Sequence, residues 1–118
     1  MNEKLQQHIN RLLLGGKILV LAEVRKCSAE LSPERTDAES GRVTPARYRL
    51  DLGLEVGEGA FLTQLDARLS LPKETTKAGA EAAAKVWTKG KQGLFVVSAI
   101  KSEFGRIQSV SLTEAIAD

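Results

Sequence analysis

The sequence predicts a mainly β fold: a five-stranded Greek-key barrel, with one helix ahead of it and a second between its third and fourth strands. Three observations predict it. Residues 47–56 and 61–71 alternate apolar and polar side chains on either side of Gly57-Glu58-Gly59, as an antiparallel pair with one wet face does. Residues 89–117 carry a second hairpin around Ser102-Glu103-Phe104-Gly105, and an alanine-rich segment of helical spacing separates the two pairs. An open antiparallel sheet would expose its edges, so closure is the expected arrangement.

Residues 1–14 come first. Leu5, His8, Ile9, Leu12 and Leu13 fall at helical spacing, with Asn2 as cap and Gly15-Gly16 as stop. A helix this short is marginal alone, so its stripe must dock on the body or on another subunit. Leu5, Ile9, Leu12 and Leu13 are the contacts expected of a homo-oligomer. His8 lies beside the stripe, where a packed or partly exposed residue is commoner than a ligand. Residues 17–31 form a long first strand, with Ile18, Val20, Ala22 and Val24 on one side and Leu19 and Leu21 on the other. Its far side turns polar at Glu23 and Arg25, which suits a strand buried on both faces at its start that then bends around a barrel. Cys27 on its second half has no base in sight and reads as an inert thiol. Residues 32–46, SPERTDAESGRVTPA, form the one long flexible loop, either a binding loop or a disordered one.

In the central hairpin Tyr48, Leu50, Leu52, Leu54 and Val56 point inward, as do Phe61, Thr63, Leu65, Ala67, Leu69 and Leu71. Arg47, Arg49, Asp51 and Glu55 share the wet face with Gln64, Asp66 and Arg68. Pro72 opens a helix running to Trp87, in which Ala80, Ala83, Ala84 and Trp87 make a small-residue stripe with a bulky plug for the barrel mouth, and Gly79 weakens the middle. In the last hairpin Leu94, Val96 and Ile100 alternate with Phe95, Val97 and Ala99, so both faces of that strand are apolar at its start. Gly105 is free to take the positive φ that the turn requires. In the return strand Val110 and Leu112 face opposite to Ser109, Ser111 and Thr113, and Ile107 breaks the alternation.

At 118 residues the chain is expected to be a single domain, 1–118. Its 42% hydrophobic and 27% charged residues exclude a disordered chain, and a net charge of +2 permits a polyanionic partner without demanding one. One cysteine excludes an internal disulfide and, with His8 as the only histidine, a structural zinc site. A reducing, cytoplasmic location is expected, with no membrane span and no signal peptide. Asp51, Glu55 and Asp66 could crowd one face and attract a divalent cation, but no base accompanies them, and Gly15-Gly16-Lys17 lacks the rest of a phosphate loop. No catalytic residue, metal or cofactor is expected, and the protein reads as a non-enzyme.

Three strands, a helix and a two-stranded hairpin, with a long loop after the first strand, is the order of the OB-type (oligonucleotide-binding) barrel. Within it, the run WTKGKQGLFVVSAIKSEFGRIQSVSLTEAI, residues 87–116, resembles the last third of bacterial single-stranded DNA-binding proteins. The resemblance implies a non-enzymatic, weakly sequence-selective binder of single-stranded DNA. The expected contacts are Arg47, Arg49 and Arg68 on the wet face, with Lys101, Phe104 and Arg106 on the last hairpin. Members of that family stack bases on exposed sheet aromatics, whereas Tyr48 and Phe61 fall here on the inner side and leave Phe104 as the aromatic free to stack. The arginines equally suit a solvated face balanced by Asp51, Glu55 and Asp66. The alternative is a protein-interaction adaptor or assembly subunit that uses the N-terminal helix and binds no nucleic acid.

Overall fold

The computed structural model describes residues 3–57, 63–104 and 106–117. Along the chain run helix α1 (Glu3–Leu14), strands β1 (Ile18–Ser32), β2 (Arg35–Thr36), β3 (Val43–Thr44), β4 (Arg47–Val56) and β5 (Thr63–Ser70), helix α2 (Lys77–Val86), and strands β6 (Gln92–Glu103) and β7 (Arg106–Ala117). Five strands close into a barrel in the order β1-β4-β5-β7-β6. All neighbours are antiparallel except β5 and β7, which run parallel, and this is the closure expected of an OB-type barrel.

β1 makes the closure possible because it serves two partners in succession. Ile18–Glu23 pairs with β6 and Glu23–Ser32 with β4, and the register slips by one residue between Val24 and Lys26. Arg25 is the extra residue of that bulge, and the bend lets one strand turn the barrel's corner.

Inside, Val24, Leu50, Leu52, Leu54, Ala67, Phe95, Val110 and Leu112 form one buried cluster, and α2 closes it at β1 and β4. Ala80 is fully buried and Trp87 almost so, its ring 5.1 Å from that of Phe95 at 45°. The alanines bring the helix close, and the indole fills the mouth, as its spacing predicts. The helix starts later than Pro72, however. Thr76 is its N-cap and accepts the Gly79 amide at 3.1 Å, while Pro72 belongs to a preceding turn closed by the Thr75 amide. Gly79 therefore sits in the first turn rather than the middle.

α1 lies on the outside. Val96 is only 1% exposed yet stands apart from the inner cluster, and its register partners Leu19 and Glu114 share its outward face. His8 Nε2 meets the Glu114 carboxylate at 2.8 and 3.1 Å, which seats the helix over that patch, with Ile9 buried and Leu5 and Leu12 half-buried. The two-sided burial expected of β6 follows. That expected at the start of β1 does not: Ile18 on one side and Leu21 on the other are 54% and 61% exposed, whereas Leu19 and Val20 between them are half-buried. The helix ends as expected at Gly16, whose φ of 77° lets the Lys17 amide return to the Leu12 carbonyl at 3.0 Å.

Residues 33–46 are built as a small hairpin rather than an unstructured loop. β2 and β3 pair, and the Asp37 carboxylate accepts the amides of Glu39 and Ser40 between them. At the β6–β7 tip, Glu103 pairs with Arg106, and the positive φ falls on Phe104 at 53°; Gly105 lies outside the described residues. The inward placement of Phe61 and the cap at Asn2 also lie outside them. Among the described residues no helix is long and apolar enough to cross a membrane.

Candidate functional site

Register assigns the outer face of the barrel row by row. One transverse row reads Lys26, Gly53, Asp66, Ser109, Lys101 from β1 through β4, β5 and β7 to β6. The next reads Ser28, Asp51, Arg68, Ser111, Ala99. Beneath these rows the inward residues Leu52, Ala67 and Val110 are buried. Small side chains at Ser28, Ser109 and Ser111 leave the outer face hollow, and a groove of about 640 Å³ lies across the two rows. Its ends are the lysines, four strand spacings apart, or about 19 Å along the curved sheet. A second hollow of about 310 Å³ shares Lys26 and Asp66 and continues the groove to Arg25 and Lys89.

The six expected contact residues divide into three groups. Arg47 and Arg49 are held by the protein: Arg47 Nε donates to the Leu71 carbonyl, and Arg49 donates to Asp51 at 2.9 Å and to Ser32 Oγ at 2.6 Å. Arg68 and Lys101 line the groove, Arg68 61% exposed and touching Asp51 Oδ1 at 3.4 Å, Lys101 with no ion pair among the described residues. Phe104 stands at the hairpin tip, 93% exposed. Arg106 opens β7, and its side chain lies outside the described residues. Tyr48 packs against the inner cluster as its parity requires, and Trp87 and Phe95 belong to that cluster, so no aromatic among the described residues lines the groove.

The three carboxylates of the wet face do not converge. Asp51 serves Arg49 and Arg68, and Glu55 meets Arg25 at 3.1 Å. Asp66 alone of the three has no ion pair among the described residues, and no cluster there could hold a metal ion. Cys27 lies at the groove on the inward side of β1. Burial, with the Asp51 carboxylate second, pushes its thiol up to about 11, so it is protonated and unreactive near neutrality.

Lys26, Lys89 and the two serines of β7 are groove residues that sequence reasoning missed. For Lys26 the reason is the bulge. Strict alternation from Val24 would turn Lys26 inward and Cys27 outward, and the extra residue at Arg25 reverses both. The Lys26 stem then lies across Gly53, where an added Cβ would stand 2.9 Å from Lys26 Cγ. Comparison of the chain with protein-family models, with curated proteins and with solved structures finds no match, so the functional reading stands on the barrel and on this groove.

Proposed function

We propose that the protein is a non-enzymatic binder of single-stranded DNA that lays the strand across the outer groove. The observation that carries this reading is the transverse row with Lys26 and Lys101 at its ends and Gly53, Asp66 and Ser109 between them. Neither lysine has an ion pair among the described residues, so both ammonium groups are available to phosphates. Arg68 and Lys89 extend the cationic path, and the two projecting hairpins, residues 33–46 and the β6–β7 tip, stand beyond opposite ends of the strand rows. Phe104 at one tip offers an exposed ring to a base. The resemblance of residues 87–116 to bacterial single-stranded DNA-binding proteins supports the same reading, as does the cytoplasmic location that a lone cysteine suggests. Arg47 and Arg49 act in it as supports for the β4 end rather than as phosphate contacts.

Salt dependence of oligonucleotide affinity tests this. Each phosphate contact contributes about 0.7 to the log-log slope for a single strand, so Lys26→Ala with Lys101→Ala should lower the slope by about 1.4. Absence of affinity at any ionic strength would refute the proposal. That result would favour a protein-binding adaptor, a reading that the exposed Leu13 and Leu14 of α1 and Leu21 of β1 support.

A further inference from the structure

Resting on that reading, we propose that Asp66 makes the groove select guanine over thymine in a single strand. Asp66 occupies the middle of the lysine-ended row, flanked by Gly53 and Ser109, and it lines both hollows. It is exposed and has no ion pair among the described residues, unlike Asp51, which two arginines engage. A phosphate is repelled from this carboxylate and drawn to Lys101 on one side and, on the other, to Lys26, whose stem crosses Gly53. The backbone of a bound strand therefore follows the ends of the row, and a base lies over its centre.

An ionised carboxylate only accepts hydrogen bonds, through two oxygens side by side. Guanine is the base whose Watson–Crick edge presents two adjacent donors, N1–H and the N2 amino group, which match that pair. Cytosine and adenine place one amino group beside an acceptor nitrogen. Thymine offers a single N3–H between two carbonyl oxygens, both repelled. Watson–Crick edges are free to be read in a single strand as they are not in a duplex. Gly53 assists, because its missing side chain lets the Lys26 methylenes lie flat over β4 as an apolar rest for the purine face.

The test uses the full chain and three labelled 15-mers: oligo-dT, a dT strand with isolated guanines spaced to prevent quadruplexes, and that strand with deoxyinosine, which lacks the N2 amino group, at each guanine. The guanine strand should bind about fivefold or more tightly than dT, as one bidentate base contact provides. Inosine should forfeit most of that gain. Asp66→Asn should bind dT at least as well as the parent, since a repulsive charge is gone, while its guanine preference disappears. Equal affinity for the three strands, or a preference that survives Asp66→Asn, would overturn the inference and leave single-strand binding standing. Failure to bind any strand would overturn both.

Discussion

Gly93→Ala places a methyl group where the structure has no room for one. The added Cβ would lie 2.6 and 2.7 Å from Cζ3 and Cη2 of Trp87 and 2.9 Å from the Ile116 carbonyl oxygen. Carbon atoms pack at about 3.5 Å or more, so the indole must retreat by about 1 Å. It cannot do so freely. Phe95 stands 5.1 Å away on its other contact, and the Ile116 carbonyl belongs to the β6–β7 ladder, where Gly93 is paired with Ala117. Overpacking of this kind costs about 1–3 kcal/mol, partly offset by about 0.4–1 kcal/mol from the stiffer unfolded chain. A net loss of about 1–2 kcal/mol follows, or roughly 4–10 °C in the melting temperature of a domain this size. Thermal melts followed by circular dichroism read the loss, and emission from the single tryptophan should shift to the red as the ring leaves its pocket. A variant that melts within a degree of the parent with unchanged emission would show that Trp87 does not close the barrel against Gly93.

Phe104→Ala should leave the melting temperature unchanged, because the ring is exposed, while costing about 1–3 kcal/mol of single-strand affinity by fluorescence titration; lost stability with intact affinity would remove Phe104 from the site. Cys27 should alkylate slowly at pH 8, with a rate that climbs until about pH 11, and a plateau near the ordinary thiol value of 9.0 would contradict its burial. Its raised folded value means that stability, unaffected below the ordinary thiol range, falls as the pH rises from there toward 11, where the folded thiol ionises as well. Ile9→Ala should cost about 2–3 kcal/mol, since Ile9 is the buried anchor of α1. Leu13→Glu should lower the mass by light scattering if the exposed end of α1 carries a homo-oligomer, with the melting temperature falling only by what association had added; an identical mass in both proteins would place any interface elsewhere.

Where alternation ran unbroken, the sequence was transparent. The inner and outer sides of β4 and β5 were legible residue by residue, and so was β7 from Ser109 to Leu112, because a period of two persists there and one face is buried. Bulges ended that legibility. The slips at Val24/Lys26 and at Val97/Ala99 each insert a residue and reverse every side chain beyond it, and for this reason Lys26 was hidden from the site. Ser98 is the residue displaced at the second bulge, its hydroxyl donating to the Ser111 carbonyl at 3.1 Å. The start of α2 was misjudged because Pro72 suits a first helical turn, yet Thr76 supplies the cap that fixes the boundary. Asp37 could have revealed the hairpin within residues 33–46, since a carboxylate just before a turn collects the amides that follow it. The wet-face arginines were placed on the correct side, but side-chain reach decided their roles: Arg49 bends to Asp51 and Ser32, whereas Arg68 keeps most of its surface in water.

Amide chemical shifts of the labelled protein, followed while a short single-stranded oligonucleotide is added, test the central claim most directly. The proposal requires the perturbed amides to trace the outer rows, Lys26, Gly53, Asp66, Ser109, Ser111 and Lys101, together with Phe104 at the tip, while α1 and the Leu21 surface stay unmoved. Shifts confined to α1 and Leu21, or none at all at saturating oligonucleotide and low salt, would contradict it.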